Sequence, residues 1–284
     1  GRLVFLFIGL LFGRGLELFS EAVRDGETVR KTDMQHEIDL YWNWHNDQGY
    51  NLEYNWPPTF SYEVRPTFKA DVEKSLARGN RPMAYTLFPA LGLPSELYDQ
   101  FGAEWNVEPA QIMPYGQPAG HKFSIISLSA PGYSDYISYS VKWMLENYGL
   151  TAIYTDGICA PTRSSNFAYG AGYVDDETGL RVATYPFFGT RETLKRIYKI
   201  IKADSPDNIL VNHHSFSLPI PILSFSDGLF TGEHEDYSDL EQAAFRFRGD
   251  AWGLYTFLIG ASDHAWSELH NMTPLLNGSA VYGY

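Results

Sequence analysis

Leu150-Thr151-Ala152-Ile153-Tyr154-Thr155-Asp156-Gly157 is the stretch whose reading decides the fold. An apolar, β-branched and aromatic run of the kind that forms a buried strand ends abruptly in a carboxylate followed by glycine. Further along, Asp227-Gly228-Leu229-Phe230-Thr231-Gly232-Glu233-His234 closes a second such run with another carboxylate. In a parallel β/α barrel, chemistry sits at the C-terminal ends of the strands, where the βα loops gather. Two carboxylates placed there are what glycoside hydrolysis needs.

The rest of the chain alternates short apolar runs with amphipathic stretches, which predicts βα units and a parallel sheet. Candidate strands fall at 3–9, 38–44, 82–88, 150–155, 209–212, 229–232 and 254–259. Helices are predicted after Thr67, with Phe68, Val72 and Leu76 on one face and Gly79 at the stop. A second follows Ser134, with Ile137, Val141, Met144, Leu145 and Tyr148 on one face and Gly149 at the stop. A third follows Thr190, with Leu194, Ile197, Tyr198 and Ile201 on one face and basic residues near its end. Helices that run straight into strands, and long segments 46–65, 90–133 and 158–189 after strands, are barrel-like. The expected fold is α/β, a (β/α)8 TIM-like barrel forming one domain over 1–284. Seven strands are legible, so either one is missed or the barrel is incomplete at the termini.

Composition narrows the function. The chain of 284 residues has 44% apolar and 19% charged residues, which suits a packed globular protein. The net charge of −13 argues against nucleic acid and anionic membrane as partners, since both reward Lys and Arg. Aromatics make up 16%, which serves either a large core or a cleft that stacks sugar rings. Cys159 is the single cysteine, so no intrachain disulfide forms and the redox compartment is not legible. The apolar stretch 3–12 is too short to span a bilayer. It is expected to be a buried strand of a truncated chain. The lesser alternative is a signal-peptide remnant, with which a secreted or periplasmic location would go. Oligomeric state is not legible.

The expected working pair is Asp156 and Glu233. Asp156, kept ionised, would attack the anomeric carbon or support an intermediate. Glu233, its pKa raised by an apolar wall, would protonate the leaving oxygen. Glu235 competes for that second role. His213 and His214 end the strand between the two, and alternation sends one imidazole toward the barrel mouth. The expected lining is Trp42, Trp44 and His45 on one strand and Tyr85 and Phe88 on another, with core packing as the alternative for any single aromatic. Arg163, Arg246 and Arg248 are candidates to pair with a carboxylate or an anionic sugar substituent. Asp175-Asp176-Glu177 resembles the adjacent acids of substrate-assisted hydrolysis, but Asp-Glu-Thr-Gly reads better as a polar turn.

Taken in order, Tyr154-Thr155-Asp156-Gly157, Gly172-Tyr173-Val174-Asp175, Arg191-Glu192 with Lys195-Arg196-Ile197-Tyr198, His213-His214-Ser215, and Asp227-Gly228 with Gly232-Glu233 resemble a family. It comprises glycoside-hydrolase-like barrel proteins related to glycoside hydrolase family 123 and, more distantly, family 129. Phe245-Arg246 and Trp252-Gly253 fit the same group. The resemblance covers about 136–259. It implies a (β/α)8 barrel and action on glycans, including N-acetylhexosaminides or other galacto-configured sugars. The adjacent Asp-Glu pair of family 123 has no counterpart at a strand end here. Separated Asp156 and Glu233 look more like the nucleophile and acid/base of family 129.

The expectation is therefore a glycosidase with a carbohydrate substrate and no cofactor or metal. A metal-dependent barrel hydrolase is the first alternative, drawing ligands from Asp156, His213, His214, His234 and His36 or His45. A non-catalytic glycan-binding barrel is the second.

Overall fold

The structure is a computed structural model that describes residues 38–41, 44, 66–93, 95–114, 122–158, 162–213, 220–231, 255–259 and 280–282. Its centre is a seven-stranded sheet of β1 (Ile38–Tyr41), β2 (Arg81–Leu87), β6 (Ala152–Asp156), β9 (Ile209–His213), β10 (Gly228–Thr231), β11 (Tyr255–Ile259) and β12 (Ala280–Tyr282), in that order. All six pairings are parallel. Spatial order follows chain order, so each crossover steps to the next strand in one direction. A doubly wound sheet reverses its order at a switch point; a barrel does not. Among the described residues no pairing joins β1 to β12.

Six of the expected strands are present. Candidate 3–9 lies outside the described residues. The seventh strand is instead β12, whose three residues are too short to display a period.

Alternation along the strands divides the core in two. On one face, Ala84, Ile153 and Leu210 pack with Phe68 and Val72 of α1 (Phe68–Ala77), Ile137, Val141 and Met144 of α3 (Pro131–Tyr148), and Leu194, Ile197 and Ile201 of α4 (Phe187–Asp204). All of these are fully buried. Each of these side chains larger than alanine contributes about 1.5–3 kcal/mol on burial, so this layer anchors the sheet. On the opposite face, Met83, Tyr85, Ala152, Tyr154 and Val211 form a second cluster. That face carries aromatic and polar-tipped side chains, and they rise toward the C-terminal ends of the strands.

Helix ends match expectation at the C-terminus and depart from it at the N-terminus. Gly149 adopts φ 70° and donates its N–H to Leu145 O, and Lys202 sits in the last turn of α4. The expected caps Ser134 and Thr190, however, lie inside their helices. Helix α3 begins at Pro131, whose fixed φ suits a first turn, and Pro186 precedes α4. The interior hydroxyls work sideways instead: Thr193 Oγ1 donates to Leu128 O at 2.6 Å and accepts from the Ser134 hydroxyl at 2.9 Å, joining α4 to α3. Thr67 has helical angles and makes no side-chain cap bond. Leu76, expected on the apolar face of α1, is 41% exposed.

Segment 90–133, expected to be loop, contains structure of its own. It holds α2 (Glu96–Trp105) and an antiparallel sheet of β3 (Ala90–Leu93), β4 (Ile112–Pro114) and β5 (Lys122–Ile125). After β6, the chain forms a 3₁₀ turn at Phe167–Tyr169 and the hairpin of β7 (Tyr173–Val174) and β8 (Arg181–Val182). Glu108 joins the two segments. Its carbonyl accepts from Ser165 N–H at 2.7 Å, its N–H donates to Ser164 Oγ at 3.0 Å, and its carboxylate meets Arg181 at 3.0 Å. These are the segments that follow the strands carrying Tyr85 and Asp156.

Candidate active site

Asp156 is the last residue of β6, a central strand. Register sets Leu87 beside Asp156 and Tyr85 beside Tyr154 on β2, with Val211 beside Tyr154 on β9. Tyr85, Tyr154, Asp156, Val211 and His213 therefore share the face opposite the helices. The chain turns at Gly157, whose φ of 74° is left-handed. That turn points the Gly157 N–H back at Asp156 Oδ1, 2.6 Å away.

Two further groups hold the carboxylate. The Tyr85 hydroxyl donates to Oδ2 at 2.6 Å, and His213 Nδ1 lies 3.2 Å from Oδ1. Behind the imidazole, the Tyr154 hydroxyl is 2.6 Å from the same Nδ1. Tyr85, Tyr154 and His213 are all at most 5% exposed, whereas the Asp156 side chain keeps 28%. The carboxylate is thus the solvent-facing end of a buried polar chain.

Burial alone would push the Asp156 carboxyl up. The hydrogen bond and attraction of His213, then the Tyr85 hydroxyl and the Gly157 N–H, outweigh burial and hold it below the ordinary carboxylate range. Asp156 is therefore ionised at neutral pH. Such a group can act as nucleophile, base or electrostatic stabiliser, and cannot act as a general acid.

Of the expected site residues, the fold brings Tyr85, Asp156 and His213 together. Tyr85 contributes its hydroxyl to the carboxylate, where a stacking ring was expected. Trp44 requires correction: it is fully buried in the helix-side core beside Phe68, and its indole N–H donates to Tyr85 O at 2.8 Å. An indole packed there has no face left for a sugar. Phe88 is fully buried in the same cluster. Arg163 is exposed, with its guanidinium 4.8 Å from the centroid of the Tyr185 ring. Glu233, Glu235, His214, Trp42 and His45 lie outside the described residues, as do His36, His234, Arg246 and Arg248.

Other acids have structural roles. Asp175 Oδ1 accepts from the Thr178 hydroxyl and N–H, both at 2.7 Å, and from Glu177 N–H at 3.2 Å, so the segment is the turn of the β7–β8 hairpin. Asp227 immediately precedes β10, where it pairs with Lys202 at 2.8 Å and accepts from Leu210 N–H at 2.8 Å. Among the described residues no group of three His, Cys, Asp or Glu converges as metal ligands would. The residue overlooked in the sequence is Tyr154. Its signal was available, because it stands two positions before Asp156 and so shares its face of the strand.

No protein-family model and no curated protein sequence matches the chain. Solved structures do. A family 36 α-galactosidase of Geobacillus stearothermophilus superposes with a TM-score of 0.54 at 12% identity, over 86% of this chain and 34% of the other. A cycloisomaltooligosaccharide glucanotransferase of a Paenibacillus species gives 0.53 at 12%, over 78% and 33%. An Aspergillus fumigatus protein solved in complex with galactosamine gives 0.51 at 11%, over 86% and 88%. The chain thus spans about a third of the first two structures and most of the third. At these identities the likeness is one of fold: a parallel β/α sheet of the kind glycoside hydrolases use.

Proposed function

We propose that the chain is a barrel-type glycoside hydrolase in which Asp156 is the nucleophile and Glu233 the acid/base. The seven parallel strands are taken as part of an eight-stranded (β/α)8 barrel forming one domain. The observation that carries the proposal is the ionised Asp156 carboxylate, held by three donors at the C-terminal end of a central strand.

Among the described residues, Oδ1 receives Gly157 N–H and faces His213, whereas Oδ2 accepts from the Tyr85 hydroxyl alone. A carboxylate oxygen offers about two lone-pair sites, so Oδ2 retains one for the anomeric carbon. In the first step the Oδ2–carbon bond forms and the bond from carbon to the leaving oxygen breaks. Glu233 gives its proton to that oxygen. In the second step Glu233 takes a proton from water, the water oxygen bonds to the anomeric carbon, and the electron pair of the ester bond returns to Asp156.

Two lines support a galacto-configured or 2-amino-2-deoxy sugar, including N-acetylhexosaminides. One is the likeness of fold to an α-galactosidase and to a protein that binds galactosamine. The other is the motif resemblance to families 123 and 129.

The test is a panel of 4-nitrophenyl α- and β-hexosides, galactosides and 2-acetamido-galactosides first. Asp156→Asn and Glu233→Gln should each lose turnover by at least about a thousandfold, in line with removal of a covalent nucleophile or its proton donor. Azide added to Asp156→Ala should restore cleavage and yield a glycosyl azide of inverted configuration. Unchanged turnover in Asp156→Asn or in Glu233→Gln rejects the assignment.

A further inference from the structure

We infer that Tyr154, His213 and Tyr85 are positioning residues of the working carboxylate, joined to it as one hydrogen-bonded unit across three adjacent strands. The inference rests on the proposal that Asp156 is that carboxylate.

The unit draws on three adjacent strands: Tyr85 from β2, Tyr154 and Asp156 from β6, and His213 from β9. These are the titratable groups that face Asp156 among the described residues. An ionised carboxylate only accepts hydrogen bonds. We assign a proton to Nδ1, because a bare ring nitrogen 3.2 Å from an ionised oxygen would set lone pair against lone pair. The Tyr154 oxygen, 2.6 Å from that nitrogen, shares the same N–H. This arrangement selects one tautomer and fixes the ring plane, as an orienting partner does for other histidines at reacting sites. Tyr154 has no exposed surface, and among the described residues its hydroxyl reaches the site through His213.

The two oxygens of Asp156 are consequently unequal. Oδ1 is clamped by a backbone N–H and by the His213–Tyr154 pair, which stops the carboxylate from rotating. Oδ2 carries the Tyr85 hydroxyl at 2.6 Å. As Oδ2 becomes an ester oxygen it loses charge and this hydrogen bond weakens. As the ester is hydrolysed charge returns and the bond strengthens, which favours departure of the carboxylate.

The test compares Tyr154→Phe, His213→Ala, His213→Asn and Tyr85→Phe with the unaltered chain. Carboxyl ¹³C signals of aspartate-labelled protein are followed during acid titration, with Asp156 identified by its loss in Asp156→Asn. Circular dichroism confirms that each variant is folded. His213→Ala and Tyr85→Phe should each raise the Asp156 midpoint by about one pH unit, the size of one hydrogen bond to a charged group, whereas Tyr154→Phe, which leaves the whole Nδ1–H to Oδ1, should lower it. The acidic limb of kcat should move with it, and kcat should fall about tenfold with little change in KM. His213→Asn places an amide N–H where Nδ1–H was, and should recover most of the shift seen in His213→Ala.

Midpoints and kcat limbs unchanged in Tyr154→Phe and His213→Ala overturn the inference, whatever Asp156→Asn does. Full turnover by Asp156→Asn rejects the proposed function, and the carboxyl titration then reports on the network by itself.

Discussion

Replacing Gly157 with alanine should destabilise the protein more than the same change at Gly79, and the difference measures how closely the chain passes under the candidate carboxylate. Both glycines are left-handed, with φ of 74° and 79°. An L-residue in that conformation costs about 1–2 kcal/mol, which the stiffer unfolded chain offsets by about 0.4–1 kcal/mol. At Gly79 an added Cβ would meet nothing within 4 Å among the described residues, so the expected net cost is about 0–1.6 kcal/mol. At Gly157 it would lie 2.9 Å from Leu87 Cδ1 and 2.9 Å from Pro89 Cγ. The leucine methyl can move, but the proline ring yields less easily, and overpacking of this kind adds about 1–3 kcal/mol. Urea unfolding with unchanged slopes gives both numbers from the midpoints. Gly157→Ala should also lower kcat, because displacing the turn lengthens the 2.6 Å contact from Gly157 N–H to Asp156 Oδ1. Equal losses at the two positions, or full activity in Gly157→Ala, would refute the packing described here.

Trp44→Phe should cost about 1–3 kcal/mol through a cavity and a lost hydrogen bond to Tyr85 O, while leaving KM unchanged; a raised KM at unchanged stability would return Trp44 to the binding surface. The lowered Asp156 value sets the sign of a pH effect. A carboxyl whose folded value lies below its unfolded value adds stability above the unfolded value, ordinarily 3.8, and loses it as pH falls through the folded value. The urea midpoint of the unaltered chain relative to Asp156→Asn should therefore be flat above about pH 5 and decline below it; a difference that grows toward acid would reverse the assignment.

Much of the frame was legible because the two core faces impose a period of two on the strands. Tyr154 and Asp156 declare their shared face by spacing alone, and the register of β2 against β6 adds Tyr85 to it. Helix stops were legible at Gly149, where the left-handed cap needs a residue without Cβ. Helix starts were not, because Ser134 and Thr190 look like caps but their helices begin three residues earlier, at Pro131 and Phe187. What separates the cases is tertiary: the Ser134 hydroxyl is spent on Thr193 Oγ1 across two helices and not on its own helix end. Helix α2 had a local signal, with Ser95 before Leu97, Phe101 and Trp105, and the Ser95 side chain does accept from Tyr98 N–H. Trp44 shows the limit of strand-end reasoning. It follows β1 as a lining residue would, yet its indole turns to the helix side. No pattern in the neighbouring residues distinguishes that from a ring exposed to a ligand. The Tyr85 hydroxyl meets Asp156 where a stacking ring was expected, since spacing fixes which face a residue occupies and not which atom it uses there.

The central claim is that Asp156 and Glu233 form a working pair. The most direct test is the separation of their carboxyl groups in a crystal structure with a substrate analogue bound. The account predicts about 5–5.5 Å, the spacing of a retaining double displacement. A spacing of about 6.5–9.5 Å would contradict the nucleophilic role of Asp156 and make it the base of an inverting enzyme. Carboxyl groups on different faces of the sheet would contradict the pair altogether.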